Sequence, residues 1–156
     1  MAKKVTLVVF SGELDRALAA FIIATGAAAS GMEVTMFFTF WGLNIIKKDK
    51  VKSKGFFKKL MNLLNRGGAK RLALSKLHML GLGTVMLKKF MKDSKMPSLP
   101  EMIKMAKGLG VKMIACTTSI GVMGLENDSF IPEVDTLAGV SSYLGDASEA
   151  QVNLFI

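Results

Sequence analysis

A single cysteine, Cys116, stands at the end of an apolar run in VKMIACTTSIGVMGL, and it is the only thiol of the 156-residue chain. The thiolate is the reactive form of this side chain, and a helix N-terminus or nearby cations favour it. Thr117, Thr118 and Ser119 follow directly, then Ile120 and Gly121. If a short helix begins there, its free N–H groups face the sulfur. Hydroxyls and main-chain N–H groups at Thr117, Thr118 and Ser119 also suit an anion held beside the cysteine. A buried structural thiol fits the same pattern, because free cysteine is among the most buried residue types. Spacing alone leaves both readings open.

The other chemistry-bearing residues are sparse. One cysteine excludes an intrachain disulfide, a CxxC redox pair and a cysteine-built zinc site, and the lone His78 removes most histidine-based metal clusters. No metal and no cofactor is expected. His78 lies in a Leu/Met-rich stretch without an adjacent acid and reads as satisfied or solvated. Ser11 and Gly12, followed by Glu13, Leu14 and Asp15, make a turn able to contact an anion, though too short and too acidic for a P-loop. Asp15 reads as a helix-start residue. Trp41, at the end of another apolar run, either lines a pocket or packs in the core.

The elements that position these residues alternate between strand and helix. Residues 4–10 (KVTLVVF) are β-branched and apolar, as in a buried strand. Residues 13–30 read as an alanine-rich helix with Glu13 and Asp15 in its first turn and Gly31 as its stop. Residues 33–40 (EVTMFFTF) form a second strand ended by Trp41 and Gly42. Short connections around one helix imply parallel strands and a right-handed crossover. Further along, 56–65 has helical spacing with Phe57, Leu60, Met61 and Leu64 on one face, and 72–91 is helix-like but interrupted by Gly81 and Gly83. Ser98 and Glu101 match a capping box with Pro100 near the helix start. Residues 111–115 read as a strand leading into Cys116, 135–144 as a helix, and 152–156 as the last strand. The expected architecture is a three-layer α/β/α domain around a mainly parallel sheet of about five strands. In such sheets ligands bind beyond the carboxyl ends of the strands, here the loops 11–15, 41–44 and 116–121.

Composition narrows the class. With 51% apolar and 21% charged residues, the chain is not disordered. Mean hydropathy is high at +0.40, yet the longest uncharged run, 17–32, is sixteen residues diluted by Ala, Gly, Ser and Thr. A spanning helix needs roughly 20 apolar residues, so a buried helix is expected. The N-terminus lacks the length and cleavage site of a signal peptide, which points to a cytoplasmic location. The net charge of +9 is concentrated: residues 47–112 hold 18 Lys and Arg against Asp49, Asp93 and Glu101. Such a field attracts nucleic acid, anionic lipid or an acidic partner. Sequence-specific nucleic-acid readers lean on Arg and stacking aromatics, and this stretch has Arg66 and Arg71 as its only arginines. A solvated lysine-rich surface is the preferred reading, and nucleic acid is not expected as a partner.

The run VTLVVFSGELDRALAAFIIATGAAASGMEVTMFFTFWGLNII, followed by VKMIACTTSIGVMGL, resembles the DsrE/DsrF-like proteins, and within them the sulfur-carrier branch often catalogued as peroxiredoxin-like. The resemblance covers the N-terminal forty-odd residues and 97–156. Residues 47–95 share the length and character of that branch as a Lys-rich helical insertion in a single domain spanning 1–156. The resemblance implies a DsrE-like α/β/α fold assembled into homo-oligomers, with the sulfur-carrying cysteine after the fourth core strand, a position held here by Cys116. It gives no support to peroxide reduction, since no second cysteine is present to resolve a sulfenic acid.

The expected function is that of a sulfur carrier or sulfurtransferase-like protein. Cys116 takes sulfane sulfur from a donor as a persulfide or thiosulfonate and relays it to an acceptor thiol, on a protein or a small sulfur compound. Thr117, Thr118 and Ser119 are its expected binding neighbours, with Ser11, Gly12 and Trp41 contributed by adjacent strand ends. Two other classes compete with this reading. One is a non-catalytic module binding a nucleotide or small anion. The other is a membrane-surface or scaffold protein using the basic middle, which would bind anionic vesicles in a salt-dependent manner.

Overall fold

The computed structural model describes residues 3–156. Five strands are present: β1 (Lys4–Val9), β2 (Glu33–Phe38), β3 (Lys112–Cys116), β4 (Thr136–Ala138) and β5 (Val152–Phe155). They pair in the order β4-β3-β2-β1-β5, every pair parallel. The sheet is thus wholly rather than mainly parallel. Cys116 ends the third strand in chain order, not the fourth.

Strand alternation sorts the side chains into two faces. Val5, Leu7 and Val9 of β1, Val34, Met36 and Phe38 of β2, and Met113 and Ala115 of β3 join the large apolar core. That face is covered by α1 (Leu14–Ala29) and α5 (Leu99–Gly108). Leu14, Ala17, Leu18, Phe21 and Ala24 of α1 recur at helical spacing and are buried, as are Leu99, Met102, Ile103 and Ala106 of α5. Each such Leu, Ile or Phe contributes roughly 1.5–3 kcal/mol by leaving water. The opposite parity places Phe37, Ile114 and Cys116 with Tyr143 in a second, smaller cluster. Its cover is α7 (Val140–Ser148), of which only Tyr143 is buried. Thr6 and Thr35 carry this face toward its polar end, bonding Tyr143 Oη at 3.2 Å and Asp146 Oδ2 at 3.1 Å respectively.

Helix ends follow the sequence signals with one exchange. Ser98 and Glu101 form the expected capping box at α5. At α1, Glu13 is the N-cap but makes no side-chain cap. The chain at 73–75 does the work instead: Leu14 N–H donates to Ala73 O at 2.7 Å, and Asp15 accepts from the main-chain N–H and hydroxyl of Ser75. Burial raises the Asp15 carboxyl, but the Ser75 hydrogen bonds outweigh it and hold the pKa below the usual value.

Two expected helices are redrawn. Residues 72–91 do not form one helix: Leu77, Met79 and Leu80 have positive φ, and α4 (Leu82–Asp93) starts only after Gly81 at φ 101°. Gly83 seals the break, because a Cβ there would stand 1.7 Å from Leu77 O. Residues 135–144 begin as β4, whose start is fixed by Asp135: its carboxylate accepts Met113 N–H at 2.8 Å. The helix follows as α7. Between β2 and α4 lie α2 (Leu43–Ile46) and α3 (Phe56–Leu64). The apolar face expected on α3 exists but points outward, with Phe57 83% and Leu64 75% exposed. Lys58 to Glu126 at 2.8 Å and Asn62 Nδ2 to Gly124 O at 3.2 Å tie α3 to the loop after α6 (Thr117–Val122). Among the described residues no helix is long and apolar enough to cross a membrane.

Candidate functional site

Cys116 is the last residue of β3 and the N-cap of α6. Its place on the sheet follows from parity: it shares the α7 face with Ile114 two residues earlier. Only 5% of the residue is exposed. At rest the side chain makes no capping hydrogen bond. The groups around it nevertheless favour the thiolate. Burial pushes the thiol up, but the hydroxyl and N–H of Ser119, the hydroxyl of Thr39 and the N–H of Thr118 together bring its pKa below the ordinary value. Ser119 is itself 1% exposed, and its Oγ lies 2.6 Å from Thr39 Oγ1. The two hydroxyls are hydrogen-bonded to each other, and both lie beside the sulfur.

Thr39 is the residue that sequence reasoning missed. The β2–β3 register pairs Phe38 with Ala115, and one further step sets Thr39 against Cys116. Nothing in one sequence fixes the register of two strands separated by more than seventy residues, so no local signal could have singled it out.

The other expected site residues are gathered less tightly. Thr117 and Thr118 are exposed at the start of α6, with Thr117 Oγ1 facing Gly139 at the end of β4. Ser11 is buried and accepts from Arg16 Nη1 at 2.9 Å. Gly12 belongs to an interlock between the loops after β1 and β2: a Cβ on it would meet Trp41 O at 2.5 Å. One on Gly42 would stand 1.9 Å from Val9 O, and Gly42 N–H donates to Phe10 O at 2.8 Å. Trp41 does not enter the core; it is 45% exposed, on a short 3-10 turn, Phe40–Gly42. Phe40 holds φ 46° there and packs on Phe10 at 5.6 Å, and Phe10 stacks on Phe155 at 5.8 Å. Ser11, Gly12 and Trp41 therefore belong to the interlocked loops after β1 and β2, from which Thr39 reaches Ser119 beside Cys116. His78 lies elsewhere, with Nδ1 3.2 Å from Thr84 Oγ1. Among the described residues no three His, Cys, Asp or Glu side chains are grouped as for a metal ion.

A five-stranded, wholly parallel sheet with helices on both faces is a fold that this chain shares with known proteins. The sequence profile of the DsrE/DsrF/DrsH-like family matches residues 1–155. The chain belongs to this family. It is 44% identical over 156 residues to the uncharacterized protein YrkE of Bacillus subtilis (strain 168), covering 99% of this chain and 97% of that protein. It is 33% identical over 157 residues to the sulfur carrier protein DsrE2 of Allochromatium vinosum, covering 99% and 98%. Two solved structures share the fold. MTH1491 of Methanobacterium thermoautotrophicum, a protein of unknown function, aligns at TM-score 0.55 and 11% identity over 99% of both chains. The ychN protein of E. coli aligns at TM-score 0.57 and 9% identity over 100% of both.

Proposed function

We propose that this protein carries sulfur in a relay, with Cys116 as the site of attachment. The observation that carries the reading is the placement of the chain's one thiol at the carboxyl end of β3, beside the paired hydroxyls of Ser119 and Thr39; the downward direction of its pKa accords with that placement. The similarity to a relative named a sulfur carrier supports it. The Cys116 thiolate attacks the outer sulfur of a donor persulfide. A new S–S bond forms at Cys116, the donor's S–S bond breaks, and the donor thiolate leaves. An acceptor thiolate then attacks the outer sulfur of the Cys116 persulfide, and Cys116 departs as thiolate. No redox equivalent is consumed in either step, so neither a metal nor a second cysteine is needed.

Each neighbour has a role in this scheme. Ser119 and Thr39, with the N–H groups of Thr118 and Ser119, stabilise the sulfur anion in attack and again in departure. Thr117 and Thr118 border the approach from solvent, and Ser11, Gly12 and Trp41 shape the adjoining rim on which a partner docks. The family-like frame is read as one domain over 1–156 with residues 47–95 as a helical insertion, working as a homo-oligomer in a reducing cytoplasm.

Intact-protein mass spectrometry after incubation with polysulfide tests the proposal. Wild type should gain sulfur in whole-atom steps, reductant removes the gain, and Cys116→Ser shows none. If a folded wild type whose thiol reacts with a small alkylating agent acquires no sulfur, the reading fails.

A further inference from the structure

A dense group of unneutralised cations, none of them in the Cys116 surroundings, lines a cavity of about 570 Å³ between the chain after α2 and the end of α3. Six cations line it: Lys47, Lys50, Lys52, Lys59, Arg66 and Arg71. Asp49 is the one acidic residue among the lining side chains. Among the described residues none of the six joins a carboxylate within ion-pair distance; the pairs that exist use Lys4, Lys58, Lys107 and Lys112.

Lys47 sets this cavity apart from an ordinary lysine-rich surface. It is only 4% exposed, and lysine is almost never so buried unless paired. Its main chain is fixed by a bridge to Phe130. Its Nζ donates to Asn62 Oδ1 and to Asn65 O, both at 2.9 Å. An ammonium has three donors, so one remains. Burial lowers its pKa with no carboxylate to offset it. The loop beside it is built to admit the lysine stem: a Cβ on Gly67 would stand 2.8 Å from Lys47 Cδ. A buried, rigidly placed cation with a spare donor, ringed by five more, is costly unless an anion completes it.

We infer that this cavity binds a soluble anion bearing two or more phosphate groups. Its size argues against a single inorganic phosphate, since ligand pockets of roughly 300–1,000 Å³ hold drug-sized molecules. The charge argues the same way, because six cations against one carboxylate leave a surplus that one phosphate does not balance. The two arginines supply planar forks suited to bidentate phosphate contacts. Lys47 is the fixed point at the floor. The site shares no lining residue with the Cys116 neighbourhood, and it stands whether or not Cys116 carries sulfur.

Calorimetric titration with tripolyphosphate at about 0.15 M ionic strength, where loose surface attraction is screened, tests this. Wild type should bind one equivalent saturably, with a raised melting temperature. Arg66→Gln/Arg71→Gln, which alters only exposed residues, should weaken binding at least tenfold. Lys89→Gln/Lys95→Gln, removing the same charge outside the cavity, should change it less than twofold. Lys47→Met, where its circular dichroism matches wild type, should abolish binding and the rise in melting temperature; retained wild-type affinity in that folded variant overturns the inference. The inference is overturned if no saturable binding occurs or if both double variants weaken it equally. Binding to anionic vesicles without binding to tripolyphosphate overturns it as well.

Discussion

In the Cys116→Ser variant, transfer of sulfur from polysulfide to an acceptor thiol should fall to the rate seen without protein. Serine matches cysteine closely in shape, and the position is already flanked by hydroxyls at Ser119 and Thr39, so the fold is retained while the nucleophile is lost. Ser119→Ala gives the graded counterpart. The wild-type thiol has a lowered pKa, so its loading rate should rise with pH to a plateau whose midpoint lies below that of an unperturbed thiol. Removing the Ser119 hydroxyl takes away a stabiliser of the anion only, and the midpoint should move upward. The sign is therefore fixed: the variant is slower near neutral pH, and the two rates converge above both midpoints. A hydrogen bond to a charged group contributes about 1.5–3 kcal/mol, so at least a tenfold deficit near neutrality is expected when rates are scaled to the plateau. Coincident midpoints for wild type and Ser119→Ala would remove Ser119 from the mechanism.

The second large effect is structural. Gly42→Ala should destabilise the protein by about 3 kcal/mol or more in denaturant unfolding, within the upper range for single substitutions. Gly42 has ordinary right-handed backbone angles, φ −59° and ψ −27°, so conformational freedom is not the issue. The cause is close approach, since the added Cβ would lie 1.9 Å from the main-chain oxygen of Val9. The loops after β1 and β2 would have to separate, carrying Thr39 away from Ser119 and lowering Cys116 reactivity in the fraction that still folds. Gly26→Ala is the control of opposite sign. That glycine sits in α1 with nothing within 4 Å of its Cβ position, and alanine there should stabilise by about 0.5–1 kcal/mol. Equal stabilities for wild type and Gly42→Ala would show that the interlock is looser than described.

These two sites also show where sequence is informative. The β1–α1–β2 unit was legible because long apolar runs and an alanine-rich helix agree with each other at every level. The α5 start was legible because a capping box is a local device. Cys116 needed only its own neighbours to be suspected. Thr39 was invisible because its significance depends on the register between distant strands. The three-residue β4 was absorbed into a helical pattern, because so short an edge strand is held by the Asp135 contact to Met113 rather than by an apolar run. At 72–91 the composition is helical, but Gly81, Gly83 and three residues with positive φ settle the path. The apolar stripe of α3 is legible in the sequence as a pattern, but a pattern does not state what covers it.

The unequal layering of the sheet has a consequence for how the protein opens. One face is sealed by two helices with many buried side chains, the other by a nine-residue helix that buries Tyr143 alone, and the Cys116 sulfur lies on the latter. Local unfolding free energy scales with the buried contacts that must be broken. Detachment of α7 should thus cost less than loss of α1 or α5, and it bares the Cys116 face while the α1 side stays intact. The amides of α7 should exchange with solvent faster than those of α1, and alkylation of Cys116 should track α7 exchange rather than global unfolding. On the sulfur-carrier proposal, a nearly buried thiol is then a timed one, laid open in the intervals when a single helix lifts.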